Sequence, residues 1–218
     1  LILSPETFTN TGTLRASNGA RLALASGTFE NYGVIEVLEG SQLVTTGLGA
    51  SGLEIETGAS LGGSGSVIGN VTNTAGTVAP GATLGTLAIT GDFFQESEGE
   101  LSIELSGMTQ GTESDFLDIS GSATIDGVLR TSLLGGFMPD ESDTFIILEA
   151  DGGVFGTFSS VFDPGGNAWS VTYGATQVIL EFEQAAVPEP GTHLLLGLGV
   201  LCLARRRRLS REPRFAPG

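Results

Sequence analysis

Toward the end of the chain, apolar residues fall two positions apart. Leu101, Ile103 and Leu105 alternate with Ser102 and Glu104, and Val178, Leu180 and Phe182 alternate with Ile179, Glu181 and Glu183. A period of two predicts strands with one buried and one wet face. Phe145-Ile146-Ile147-Leu148 departs from the alternation as a continuous apolar run, which predicts a strand buried on both faces.

Earlier in the chain the strand signals are shorter, and they repeat. Phe8-Thr9-Asn10-Thr11-Gly12-Thr13-Leu14 returns 21 residues later as Phe29-Glu30-Asn31-Tyr32-Gly33-Val34-Ile35, with Phe, Asn and Gly in the same places. Between them Asn18-Gly19-Ala20-Arg21-Leu22 is echoed by Glu39-Gly40-Ser41-Gln42-Leu43, with a shifted copy at Thr57-Gly58-Ala59-Ser60-Leu61. Each period thus holds two strand signals. Asn73-Thr74-Ala75-Gly76-Thr77-Val78 falls two periods after Asn31, with one extra residue.

A repeat of this length that alternates a Gly-bounded turn with an apolar-polar strand predicts an all-β chain wound as a β-solenoid, because one coil cannot bury its inward face alone. Each coil advances by about 4.8 Å, so four coils before residue 92 would make a rod of about 20 Å. Residues 1–91 are expected to hold these repeats. Residues 92–184, where strands lengthen, are expected to be either terminal coils or a β-sandwich-like cap. Aromatics gather there: Phe93, Phe94, Phe116, Phe137, Phe155, Phe158, Phe162, Trp169 and Tyr173. A hydrophobic core accounts for them more simply than a sugar-stacking patch.

Composition fits many short strands with tight turns: 34 Gly and no Lys in 218 residues. The net charge of −16 is unevenly spread. Residues 1–186 carry Arg15, Arg21 and Arg130 against 23 Asp and Glu, which leaves −20 on the body. Nucleic acid is therefore not an expected partner. The one cysteine, Cys202, excludes an intrachain disulfide and a Cys-based metal site. The chain opens LILSPETF, without Met, a basic n-region or a cleavable apolar run, so a signal peptide and further repeats are expected upstream.

The far end reads VPEPGTHLLLGLGVLCLARRRR. Pro188 and Pro190 favour a helix start. Thr192 to Ala204, apolar but for Thr192 and His193, would span about 20 Å as a helix against a hydrocarbon core of about 30 Å. One short transmembrane helix is expected, made of the apolar residues Leu194, Leu195, Leu196, Leu198, Val200, Leu201 and Leu203. Arg205, Arg206, Arg207 and Arg208 would hold its C-terminal end in the cytoplasm and leave the acidic body outside.

The order of motif, apolar stretch and basic stop resembles the PEP-CTERM sorting signal. Pro188, Glu189 and Pro190 match the motif, Gly191 follows as in many members, and Arg205 to Arg208 match the basic cluster. The resemblance spans residues 185–208; the basic tail 209–218 is longer than members usually carry. It implies a Gram-negative exported protein, an inner-membrane intermediate, cleavage by an exosortase near the motif, and a final place at the cell surface or in the extracellular matrix. Exopolysaccharide becomes a candidate partner. No LPxTG points to a cell-wall sortase.

Leu61-Gly62-Gly63-Ser64-Gly65-Ser66-Val67-Ile68-Gly69-Asn70-Val71, followed by Gly76 to Leu87, resembles the passenger-associated repeats of autotransporters. That likeness implies a right-handed β-helix. No outer-membrane barrel segment follows it in this sequence, so the secretion route of that family does not carry over.

Chemistry is thinly supplied. The one histidine, His193, lies in the tail, which removes Ser-His-Asp catalysis from the body. Glu54 with Glu56, or Asp115 with Asp118, could form a glycosidase pair, although a solvated acidic face explains them better. β-Helix polysaccharide lyases need basic residues that this body lacks. Calcium at Asp140-Glu141-Ser142-Asp143 or near Asp115 has no EF-hand or nonapeptide spacing behind it. Gly62-Gly63-Ser64-Gly65 lacks the Lys of a phosphate loop and reads as a turn. No cofactor or metal is expected. A non-enzymatic surface or matrix protein with a structural or adhesive role is the leading expectation, and a glycan-binding or glycan-degrading β-helix protein is the alternative.

Overall fold

A computed structural model describes residues 1–25, 27–49 and 52–183. Among these residues there are strands and turns and no helix. The expected transmembrane helix lies outside them, and none of the described elements is a helix long and apolar enough to cross a membrane.

The strands come in threes. The first coil is β1 (Ile2–Leu3), β2 (Thr7–Asn10) and β3 (Thr13–Ala16); the second is β4 (Arg21–Leu24), β5 (Thr28–Asn31) and β6 (Val34–Val37). β7 (Gln42–Val44), β8 (Leu53–Ile55) and β9 (Ser60–Gly63) follow, then β10 (Ser66–Ile68), β11 (Val71–Asn73) and β12 (Thr77–Pro80). The wider coils are β13 (Thr86–Thr90), β14 (Phe93–Gln95) and β15 (Glu100–Leu105), then β16 (Phe116–Ile119), β17 (Ala123–Ile125) and β18 (Val128–Leu133). The last is β19 (Thr144–Ala150), β20 (Val154–Gly156) and β21 (Ser160–Phe162), with β22 (Ala168–Tyr173) and β23 (Gln177–Glu183) after it.

Strands stack on their counterparts one coil away, in parallel, to form three columns. The first runs β1-β4-β7-β10-β13-β16-β19, and the third runs from β3 to β21. The second divides into β2-β5 and β8-β11-β14-β17-β20. Such parallel columns are compatible with a β-helix, and they pass through residue 92 without a break. Three strands per turn replace the two signals expected per period. The third was hidden because two different corners use the same turn chemistry: Asn18 and Gly19, Gly40, and Gly58 sit in left-handed conformation at corners leading into two different columns. The shifted copy at Thr57–Leu61 is therefore not equivalent to its supposed parents. Leu22 and Leu43 pair in the first column, whereas Leu61 pairs with Ile35 in the third.

The first coils stack at the 21-residue offset of the sequence repeat, as in Phe8 on Phe29 and Leu14 on Ile35. Later the corners absorb extra chain. The link from the third column to the first grows from four residues at 17–20 to ten at 106–115 and 134–143. The column interior hardly changes: Ile35, Leu61, Val78, Leu101 and Leu129 form one fully buried ladder. At about 1.5–3 kcal/mol for each such side chain taken out of water, these ladders are the main favourable term in the stack.

One glycine shows how tightly the coils approach. Gly63 has φ +108°, and a Cβ there would collide with the Val37 carbonyl of the coil below. The continuous run Phe145–Leu148 also has a local cause. Pairing of β19 with β23 is antiparallel and slips between Ile146 and Leu148. This bulge turns Phe145, Ile147 and Leu148 inward while Ile146 stays half-buried. A bulge, and not burial on both faces, produced the run.

Candidate functional site

Pro188, Glu189, Pro190 and Gly191, the apolar positions Leu194 to Leu203 and the basic stop Arg205 to Arg208 all lie outside the described residues. The body offers three other places where polar chemistry is concentrated.

The first is a stack of buried amides where the second column turns into the third. Asn10 Nδ2 donates to Asn31 Oδ1 at 2.8 Å and to the Val34 carbonyl at 3.3 Å. Two coils on, Asn73 Nδ2 donates to Gln95 Oε1 at 3.4 Å and to the Glu100 carbonyl at 3.1 Å, while Asn73 Oδ1 accepts from the Gly76 amide at 3.1 Å. Gln95 Nε2 passes the pattern on to the Asp126 carbonyl at 2.7 Å. These side chains satisfy backbone groups in the corner, at Gly76 and Asp126, and on the first residue of the strand that follows it, at Val34 and Glu100. The stack is broken once. β8 sets Ile55 in register with Asn73, so the coil after Asn31 offers an apolar side chain, and Asn31 Nδ2 is buried without a partner.

The second is Asp115, only 1% exposed. Its carboxylate accepts from the Gly85 amide at 3.0 Å and the Glu104 amide at 2.9 Å, which ties the ten-residue corner to the neighbouring coil. Burial pushes its pKa up to about 7; the two backbone donors oppose this and the Glu104 charge adds to it. The carboxylate at Asp118 points the other way. It lies exposed on the first column's outer face, in register with Glu149. Partial burial and then the Asp151 and Glu149 charges raise its pKa. Asp115 and Asp118 therefore do not form a pair. Glu54 and Glu56 do share an outward face, both half-buried. In the acidic turn the Asp140 amide donates to Asp143 Oδ2 at 2.8 Å. Among the described residues no group of three or more His, Cys, Asp or Glu is arranged to hold a metal.

The third is the closing hairpin. Asp163 accepts from Thr131 Oγ1, the Gly165 amide, Asn167 Nδ2 and, at 2.8 Å, from Trp169 Nε1. Burial pulls its pKa upward, but these donors outweigh it and hold the carboxyl below the usual range. Trp169 packs edge-on between Phe145 and Phe182, with ring centroids 6.0 and 5.1 Å away. Phe93 is fully buried, as are nearly all atoms of Phe116, Phe145 and Phe158. Core packing does not account for all the aromatics, however: Phe94 is 38% exposed, Phe155 57% and Phe162 49%. Their outward direction was readable only as one half of the Phe93-Phe94 alternation once the strand was placed.

Residues 186–208 match the PEP-CTERM protein-sorting motif. A comparison with curated proteins gives no match. The motif indicates exosortase-dependent sorting to the cell surface, with export followed by anchoring or release there.

Proposed function

We propose that this chain is a structural or adhesive protein of the cell surface or extracellular matrix, and that an exosortase cuts it near Pro188-Glu189-Pro190. The sorting motif at residues 186–208 carries this reading. In it, Leu194 to Leu203 span the inner membrane during an intermediate stage, Arg205 to Arg208 hold the cytoplasmic end, and cleavage frees the body. A right-handed winding of the coils is supported by the strong chirality of parallel crossover connections.

Residue stock supports a body without catalytic function. Once the tail is removed it holds neither His, Lys nor Cys, and general acid-base work would fall to carboxylates alone. Its buried carboxylate, Asp115, is already committed to two backbone amides.

The test places the full chain behind a secretory signal, with an epitope tag after Gly218, in hosts with and without an exosortase. The expected outcome is separation of tag from body only where the enzyme is present, lost on replacing Pro188-Glu189-Pro190 by alanines. Full-length, tagged protein on the envelope of the exosortase host would overturn the reading.

A further inference from the structure

The second column carries an outward row in which Glu54, Thr72, Phe94, Thr124 and Phe155 stand in register on five successive strands. Phe93 beside Phe94 fills the core, so the Phe94 ring is not needed there. Thr124 separates the two exposed rings, which are therefore two strand spacings apart, about 9.6 Å. A shallow groove of about 410 Å³ runs beside Phe94, with Glu54, Glu96 and Thr124 on its walls.

We propose that this row binds an uncharged, extended β-linked polysaccharide laid along the stacking direction. The C–H faces of every second pyranose would lie on Phe94 and Phe155. The inference supplies a ligand class for the adhesive reading and rests on it for the place where the glycan is met.

Several features choose this occupant. The rings are separated by a threonine and do not form a continuous apolar patch of the kind that marks a protein interface. Flat C–H faces need isolated aromatic platforms at a fixed repeat, and a column of stacked strands provides one. An extended β-linked chain presents the same face every second unit, which matches a step of two strands. Glu54 and Glu96 are acceptors for sugar hydroxyls and repel polyanions. Arg130, the one arginine on the wider coils, sits on the third column, 5.1 Å from the Phe162 ring and 3.9 Å from Glu100.

Purified full-length protein would be titrated calorimetrically with cellohexaose, xylohexaose and chitohexaose, with maltohexaose as the α-linked control and polygalacturonate as the anionic one. At least one β-linked hexamer is expected to bind, with maltohexaose and polygalacturonate at least tenfold weaker. Phe94→Ala and Phe155→Ala should each weaken binding about tenfold, the worth of one stacked ring. The double variant should abolish it, Phe94→Trp should retain it, and Phe162→Ala, off the row, should leave it unchanged. Circular dichroism checks that each variant is folded.

The proposal is overturned if no β-linked hexamer binds at millimolar concentration, if the double variant binds as wild type does, or if polygalacturonate is preferred. Tag release, measured in parallel, separates the two readings. Normal cleavage without glycan binding sinks only the ligand assignment, and binding without cleavage sinks only the sorting.

Discussion

The four coils from β1 to β12 and the three from β13 to β21 face the same stacking problem but use different materials. In the early coils the column interiors are mostly aliphatic, with Phe8 stacked on Phe29, corners are mostly short, and the buried polar groups are neutral: amides bonded to one another, with the hydroxyls of Ser41 and Thr45. In the late coils the corner from the third column to the first grows to ten residues and is tied by a carboxylate, while the amide row runs on only as far as Gln95, and most aromatic rings gather toward the end. A coil in mid-stack is covered on both sides and needs little beyond its ladder. The last coil has one neighbour only, and solenoids need a terminal cap for that reason. Here β23 and β22 add antiparallel strands to the first column alone, with Trp169 and Asp163 fixing them.

The contrast can be broken most forcefully at Phe93, where the two materials meet. This ring sits between Val71 and Ala123 in the second column, so the small Ala123 leaves room that Phe93 fills. Phe93→Ala is expected to cost about 4 kcal/mol in urea unfolding. A loss below about 1 kcal/mol would mean that the late coils do not lean on that ring.

Asp115 gives the next largest effect, and its sign is opposite to that of an ordinary paired carboxylate. Its folded pKa is about 7 against 3.8 for the free group, so the folded state holds a proton that the unfolded chain has released. Stability from this group is complete below about pH 4 and is lost as pH rises through about 7, on the order of 4 kcal/mol at most. Asp118 drifts in the same direction, so the comparison must be with Asp115→Asn. That variant should show a visibly flatter melting temperature between those limits; an unchanged slope would assign the effect elsewhere.

The smallest difference lies within the early coils and tests the broken amide stack. Asn73→Ala strands the Gly76 amide and the Gln95 acceptor and should cost about 2 kcal/mol. Asn31→Ala should cost about half as much, because its Nδ2 has no partner to lose. Equal costs in thermal melts would show that the missing rung at Ile55 has no energetic meaning.

The repeat was legible where the coils are regular. The Phe-x-Asn-x-Gly echo located β2 and β5 and the amides that stack between them, and Asn73 was found at its proper place two coils on. Corner insertions then spoiled the periodicity without touching the ladders, so self-alignment lost the repeat although stacking went on. The bulge in β19 had no local signature, because Phe-Ile-Ile-Leu reads alike whether a strand is buried on both faces or slips by one residue. The burial of Asp115 was equally invisible: with Glu113 and Asp118 close by it reads as part of an acidic surface, and only its two amide donors distinguish it. The sorting motif needed no geometry, since its information lies in residue order.

The hairpin that covers the first column also decides how the body meets mechanical load. The sorting segment continues from β23, so any tension on that segment enters the body at Glu183. β23 is hydrogen-bonded along both edges, to β19 on one side and to β22 on the other. A pull along the strand axis must slide it past two neighbours together instead of peeling one edge bond by bond. The strand that closes the stack is thus also the one that grips the sorting segment for as long as the two are joined.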